Sequence, residues 1–204
     1  MKSERWKVKG KKSIADMHRL SVEAYKQTQK VPLVMVLDNV RSQHNVGAVF
    51  RTADGFGIHG LCLCGITCCP PNAELHKTAL GAEQTVDYTY YEHTVDAIRA
   101  LHEQGFMVYA IELAHDAMTL EQAIETYEQH AADAAPYPVA LVLGHEVFGV
   151  ADEVMALCDG CIELPQYGTK HSLNVSVTAG IVMYAWANEL RRKMENLFVA
   201  KNKE

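Results

Sequence analysis

The sequence predicts an α/β fold in which a mostly parallel β-sheet is flanked by helices on both faces. Strand-like and helix-like segments alternate along almost the whole chain. Residues 32–37 and 139–143 are continuously apolar, which is typical of parallel strands buried on both faces. With 204 residues, 49% of them hydrophobic, the chain is long enough for one substantial core and too short for two.

The first predicted element is a helix over residues 13–29, where Ile14, Met17, Leu20 and Ala24 recur at helical spacing. Beyond it, apolar runs predict strands and amphipathic runs predict helices. The strands are predicted at 32–37, 60–65, 85–91, 106–113, 139–143 and 161–164, and the helices at 46–56, 74–80, 94–104, 119–130, 151–157 and 173–198. We therefore predict a basic helical extension over residues 1–30 and a single α/β domain over residues 31–204.

Turn residues separate these elements. Glycines end the helix at 46–56 and open the next strand, and an Ala/Pro-rich loop through Pro138 follows the helix at 119–130. Asp159-Gly160 joins a helix to the last strand, and Pro165 stops that strand.

The charge distribution and the apolar segments exclude two function classes. The net charge is −6, made up of +7 over residues 1–51, −16 over 52–163 and +3 over 164–204. The acidic middle argues against a protein that coats nucleic acid non-specifically, although one local basic patch stays possible at the ends. The start of the chain has no apolar core, and the longest apolar stretch, 175–186, is shorter than the ~20 residues of a membrane span. We predict a cytoplasmic protein without membrane association.

Six cysteines in a cytoplasmic chain are expected to be reduced thiols. Cys158 and Cys161 have C-x-x-C spacing, which leaves a redox or zinc site open. Cys62 and Cys64, however, alternate along an apolar run and are expected to face one side of a strand. We therefore predict buried thiols and no metal.

Residues 55–60 match the dinucleotide-binding pattern G-x-G-x-x-G. That motif leaves a strand and opens a helix, so that pyrophosphate binds at the helix N-terminus. In this chain the glycines end a helix and open a strand, which favours a helix C-cap over a nicotinamide site.

A first candidate loop follows the buried strand at 32–37. Asn45 is a suitable N-cap for the helix that follows, and Gly47, Arg51 and Asp54 share one face of it. The structural alternative is an Arg51–Asp54 pair on a solvated surface, which leaves the Asn/Gly/Arg pattern unexplained.

Two further candidate loops also follow buried strands. In residues 143–149, Glu146 lies between Gly144 and Gly149, and glycines there let a ligand approach the backbone closely. An ordinary strand-to-helix turn is the alternative. Residues 164–177 contain a donor-rich Gly-Thr-Lys-His-Ser loop of the kind that binds small charged ligands. Capping of the last helix by Ser172 or Asn174 is the alternative there.

In this order, the three loops resemble the motifs of the SpoU/TrmH family of S-adenosylmethionine-dependent RNA ribose 2′-O-methyltransferases, in the SPOUT superfamily. The resemblance covers about residues 31–190 and rests on these residues: Asn45, Gly47, Arg51, Gly144, Glu146, Gly149, Pro165, Gly168, Ser172 and Asn174. It implies a C-terminal trefoil knot, S-adenosyl-L-methionine as cofactor, and a homodimer with the active site near the subunit interface. The expected substrate is tRNA or rRNA, with tRNA slightly favoured.

The resemblance also implies roles for particular residues. The expected catalytic-site residues are Arg51, Asn45, Glu146, Ser172 and Asn174, and the backbone around Gly144, Leu164 and Leu173 is expected to hold the cofactor. The family proposal makes Arg51 a base. Because arginine has a very high pKa, we expect Arg51 to act mainly as a fixed positive charge. Candidate RNA-binding residues are Lys9, Lys11, Lys12, Arg41 and Lys170, and the RNA is expected to lie against residues 1–12 and around Lys170, Arg191 and Arg192.

Two other functions stay open from the sequence. A non-catalytic RNA-binding protein could retain this fold, and it would be distinguished by a lack of cofactor binding. A dehydrogenase using residues 55–60 would be distinguished by competition between the two cofactors.

Overall fold

Seven strands form one sheet, and every pairing between neighbouring strands is parallel. The computed structural model describes residue 10 and residues 20–130, 137–170 and 172–201. The strands are β1 Val31–Asp38, β2 Ile58–Cys64, β3 Tyr88–Tyr91, β4 Met107–Ile111, β5 Met118–Thr119, β6 Val139–Leu143 and β7 Gly160–Glu163. The helices are α1 Val22–Lys26, α2 Gln43–Phe56, α3 Ala73–Ala79, α4 Ala82–Thr85, α5 Thr94–Glu103, α6 Leu120–His130, α7 Asp152–Met155 and α8 Val175–Lys201.

The strand order, β3-β2-β1-β6-β4-β7-β5, creates a switch point between β1 and β6. The connection after β1 leads through α2 to β2 on one side. The connection after β6 leads through α7 to β7 on the other side. In open parallel sheets, ligands bind beyond the carboxyl ends of the strands at such a point. The loops that follow β1 and β6, which contain the first two sequence motifs, therefore meet there.

The sheet is covered on both faces, as its continuously apolar strands predict. One apolar cluster packs α2, α6 and α8 against residues such as Leu33, Met35 and Leu37 of β1. The second packs α5 and α7 against the alternate residues of that strand, Val34 and Val36. Trp186 of α8 is fully buried in the first cluster, where its ring stacks on Tyr109 and contacts Tyr127 edge-on.

The α/β prediction is confirmed, and the elements differ from the predicted ones in three places. Thr85 belongs to the short helix α4, so β3 begins at Tyr88 and not at residue 85. The two-residue strand β5 was not predicted. Of the helix predicted over 13–29, the described part forms only α1, which begins at Val22 after the extended N-cap Ser21 and ends at Lys26 before the C-cap Gln27.

Two other expectations concern the ends of the domain. The helix prediction at residues 13–19 and the candidate RNA-binding residues Lys9, Lys11 and Lys12 lie outside the described residues. The division at residue 30 and the trefoil knot stay predictions. None of the helices in the described ranges, including the 27-residue α8, is long and apolar enough to cross a membrane.

Candidate active site

A cavity of about 500 Å³ opens at the carboxyl ends of β4, β6 and β7. Its apolar floor is formed by Ile111 and Leu143, the last residues of β4 and β6, and by Ile162 of β7. The start of α8 closes one side. Eight residues have catalytic or cofactor-binding roles implied by the family resemblance, and six of them line the cavity: Gly144, Glu146, Leu164, Ser172, Leu173 and Asn174. The structure thus brings together the second and third sequence motifs.

The loop over residues 144–150 is a tight turn that forms one wall of this cavity. His145 and Gly149 exchange both backbone hydrogen bonds, at 2.9 and 2.8 Å. A Cβ on Gly144 would lie 2.1 Å from the carbonyl carbon of Gly149, and Gly149 itself has φ of +69°. The sequence suggested that these glycines admit a ligand. The structure gives a different reason, because the two ends of the loop approach each other too closely for a side chain on Gly144.

Glu146 joins this loop to the N-terminus of α2. Its carboxylate accepts hydrogen bonds from the backbone N–H groups of Arg41 and Ser42, both at 2.9 Å, and from Nδ2 of Asn45 at 3.0 Å. Burial raises the pKa of Glu146, but the N–H groups of Arg41 and Ser42 outweigh that effect and leave the pKa below its usual value. The group is therefore a carboxylate at neutral pH.

The N-cap of α2 is Ser42 and not Asn45, which corrects the sequence prediction. The Ser42 side chain accepts from the backbone N–H of Asn45, at 3.3 Å. In a capping box, the side chain at the third helical position accepts a hydrogen bond from the backbone N–H of the cap residue. Asn45 occupies that position, and the carboxylate comes instead from Glu146, a hundred residues further along the chain.

Asn45 also connects α2 to α8. Its Oδ1 accepts from Nδ2 of Asn174 at 3.1 Å, while its own Nδ2 donates to Glu146. Oδ1 of Asn174 accepts from the N–H and the hydroxyl of Ser176, so Asn174 caps α8. One polar chain of three residues therefore holds the starts of two helices and the 144–150 loop in fixed relation.

The remaining predicted residues are placed differently. Ser172 lies at the cavity with an exposed side chain. Arg51 is exposed on α2 and does not line the cavity. The alternative Arg51–Asp54 pair does not form, since Asp54 accepts from the hydroxyl of Thr85 at 2.6 Å. Within the described ranges, the side chain of Arg51 has neither a hydrogen bond nor an ion pair.

Residues 32–184, about three quarters of the chain, match the model of the SpoU rRNA Methylase family. The chain belongs to this family. A tRNA (guanosine(18)-2′-O)-methyltransferase from Thermus thermophilus is 31% identical over 169 residues, which are 83% of this chain and 81% of that protein. The resemblance drawn from the three loops is thus confirmed.

Solved structures agree with the family assignment. The A. aeolicus TrmH/SpoU tRNA modifying enzyme superposes with a TM-score of 0.71 at 25% identity, over 84% of this chain and 82% of that one. An AdoMet-bound rRNA methyltransferase from Sinorhizobium meliloti superposes with a TM-score of 0.66 at 27% identity. That match covers 82% of this chain and 59% of the other, so this chain spans less than two thirds of that protein.

Positive charges near the SpoU-family site are few. Arg41 and Lys170 are exposed on the loops after β1 and β7. Arg191 donates to the carbonyl of Phe56 at 2.8 Å, and Arg192 is paired with Glu189 and Glu128. The two α8 arginines are therefore engaged within the fold, which weakens their assignment to an RNA surface.

Two carboxylates of this SpoU-family domain were not singled out from the sequence. Asp38, 2% exposed at the end of β1, accepts from Thr94 Oγ1 at 2.5 Å and from the N–H of Ala151 at 3.1 Å. Glu112 follows β4, lines the cavity and accepts from the N–H of Val150 at 3.0 Å. Both could have been found from the sequence, because each is an acidic residue directly at the end of a buried strand.

The prediction of buried thiols is confirmed for Cys62 and Cys64, whereas the other four cysteines are partly buried. Cys62 and Cys64 face the same side of β2, as the alternation predicts. All six cysteines are free, and burial raises the pKa of the Cys158 thiol to about 12. A redox-active cysteine needs a lowered pKa, so the raised pKa of Cys158 argues against that role. The described part of the chain contains no group of three or more His, Cys, Asp or Glu side chains arranged to hold a metal ion.

Proposed function

We propose that the protein is a cytoplasmic enzyme that transfers a methyl group from S-adenosyl-L-methionine to a ribose 2′-hydroxyl of RNA. The cavity is the observation that supports this proposal. Residues of the second and third motifs line it, and Asn45 of the first motif is hydrogen-bonded to Glu146 and Asn174 in its wall. The tRNA-methylating relative from Thermus thermophilus, matched over 81% of its length, favours tRNA over rRNA as substrate.

The cavity has the properties that this cofactor requires. Its volume lies within the usual range of small-molecule sites, and its apolar floor suits an adenine ring. The described lining includes the carboxylates of Glu112 and Glu146 but no Lys or Arg, which suits a cation. Bound there, S-adenosylmethionine supplies an electrophilic methyl group on a positively charged sulfur. The backbone around Gly144, Leu164 and Leu173 would hold its adenosine.

The protein residues have to orient a weak nucleophile and stabilise the charge that develops on it. Asn45, Glu146 and Asn174 are positioning residues, because their side-chain polar atoms are bonded to one another and to helix N-termini. Ser172 faces the cavity and can contact the ribose. Arg51 supplies a fixed positive charge that binds the adjacent phosphate and stabilises the alkoxide.

Because Arg51 does not line the cavity of its own chain, we propose that it completes the site of a second copy in a homodimer. An exposed apolar stripe on α8, formed by Val177, Ile181 and Tyr184, recurs at helical spacing and is a suitable contact surface. A mixed dimer tests this arrangement. One chain would carry Arg51→Ala and the other Ser172→Ala; partial recovery of activity on mixing is expected, and none would contradict a shared site.

The role of Arg51 itself is tested by Arg51→Lys. Lysine lacks the planar, bidentate fork of arginine, so we expect a large loss of the transfer rate with little recovery at raised pH. Recovery of the rate at high pH would instead assign Arg51 the role of a base.

RNA would lie against Arg41, Lys170 and the basic N-terminal segment. Deleting residues 1–12 should weaken RNA binding and reduce its dependence on salt concentration. An unchanged affinity and salt slope would exclude that segment from the RNA surface.

The decisive experiment maps 2′-O-methyl positions in total RNA from cells with and without the gene. Loss of one ribose methylation would identify the RNA and the nucleotide. A non-catalytic RNA-binding protein predicts no such loss, and no binding of S-adenosylmethionine by calorimetry.

A further inference from the structure

Glu112 is built into the wall of the cavity although it belongs to none of the three sequence motifs. It follows the last residue of β4, and its main-chain N–H donates to the carbonyl of Ile162 at 3.1 Å, which extends the β4–β7 pairing. Its side chain accepts from the N–H of Val150 at 3.0 Å and from the N–H of Leu113 at 2.9 Å. A single carboxylate thus joins the end of β4 to the 144–150 loop.

The loop leaves room for this carboxylate at Gly149. A Cβ at that position would lie 2.2 Å from Oε2 of Glu112, and the φ of +69° independently disfavours any residue with a side chain. Gly149 leaves space for the carboxylate of Glu112, and the next residue, Val150, donates a backbone hydrogen bond to it. The Glu112 carboxylate thus contacts two successive residues of the loop.

The charge of the carboxylate has a second consequence. Glu112 and Glu146 are the two carboxylates among the described lining residues, and that lining contains no lysine or arginine. The negative charge of Glu146 is stabilised by three N–H donors at the start of α2. The carboxylate of Glu112 accepts hydrogen bonds from two backbone N–H groups, and neither of them lies at a helix N-terminus. The less compensated negative charge of the cavity therefore lies at Glu112.

We propose that Glu112 holds the 144–150 loop in its binding form and makes the cavity favour the methyl donor over the demethylated product. The donor has a positively charged sulfur and the product an uncharged one, so the two differ by one unit of charge. A carboxylate in the cavity wall stabilises the first and not the second. Product release is thereby favoured after each transfer. This inference rests on the proposed function.

The test measures the dissociation constants of S-adenosylmethionine and S-adenosylhomocysteine by calorimetry for the full chain and its variants. Glu112→Gln keeps an oxygen that can accept from Val150 but removes the charge. We expect about a tenfold weaker affinity for the donor and less than a twofold change for the product. Glu112→Ala also releases the loop, and it should weaken both ligands. Glu163→Gln is the matched control, since Glu163 ends β7 without lining the cavity, and it should change neither constant.

The possible outcomes separate the inference from the function on which it rests. Equal weakening of donor and product in Glu112→Gln, or no change in either, would overturn the role of the charge. Failure of the unaltered chain to bind either ligand would overturn the proposed function instead. Thermal melting checks that each variant is folded. Should Glu112→Gln unfold, the unaltered chain still tests the idea, because raising the ionic strength must weaken the donor more than the product. Equal salt effects on both ligands would refute it.

Discussion

Replacing Glu146 tests whether its carboxylate acts by holding the site together or by touching the substrate. Glu146→Ala removes the acceptor for two backbone N–H groups and for the amide of Asn45. A hydrogen bond to a charged group contributes about 1.5–3 kcal/mol. Because Arg41 is exposed, water can replace part of this loss. We expect the free energy of unfolding to fall by about 2–3 kcal/mol, and by about 1 kcal/mol in Glu146→Gln, which keeps one acceptor.

The measurement is urea unfolding of the full chain followed by circular dichroism, with Glu125→Ala as control. Glu125 is exposed on α6, and its substitution should change the stability by less than about 0.5 kcal/mol. Calorimetry with S-adenosylmethionine should show a weaker affinity for Glu146→Ala, because the loop that forms the cavity wall is released. A stability loss below about 0.5 kcal/mol combined with loss of methyl transfer would refute the positioning role.

Because the pKa of Glu146 is lowered in the folded protein, the stability that its carboxylate contributes depends on pH. The folded-state pKa lies below the unfolded value of about 4.3, so the carboxylate stabilises the fold fully above that value. This contribution is lost as the pH falls through the folded-state pKa. The stability difference between the unaltered chain and Glu146→Gln should therefore shrink below about pH 4. A constant difference from pH 7 to pH 3 would contradict this assignment.

Three further predictions concern the loops and the thiols. Gly144→Ala should lower the free energy of unfolding by more than about 2 kcal/mol and abolish cofactor binding, since its Cβ would lie 2.1 Å from loop backbone; near-normal calorimetry would contradict the loop geometry. A double-mutant cycle of Asn45→Ala and Asn174→Ala should give a coupling energy of about 0.5–1.5 kcal/mol in urea unfolding, whereas additive losses would mean that their hydrogen bond contributes nothing. Cys158 should react with a thiol reagent at pH 8 far more slowly than a small free thiol, because burial raises its pKa to about 12; a comparable rate would show that this thiol is accessible.

The sequence predicted most of the fold because strands and helices differ in the period of their apolar residues. The errors occur where an element is too short to show a period, as in the two-residue β5 and the four-residue α4. The cap of α2 was misassigned for a related reason. Ser42 and Asn45 are both good cap residues three positions apart, and the polar residues between them show no apolar period.

The site was predicted less completely, because its geometry depends on contacts between distant parts of the chain. Gly144 and Gly149 stand out in the sequence, but the first is needed for loop closure and the second for a backbone φ of +69°. The N–H groups that Glu146 caps belong to residues 104 and 105 positions earlier in the chain. Such pairs follow from the adjacency of β1 and β6, which a single sequence does not display.

The hydrogen bonds that join Glu146, Asn45 and Asn174 limit which side chains can contact RNA. Both oxygens of Glu146, both polar atoms of the Asn45 side chain and both of the Asn174 side chain are already bonded within the fold. Of the five residues that match catalytic positions, Ser172 and Arg51 alone have side chains without a hydrogen-bond partner among the described residues. Ser172 faces the cavity, and Arg51 is exposed outside it. A ribose placed between a serine hydroxyl and an arginine therefore requires both groups to converge from different directions, which a second subunit can provide.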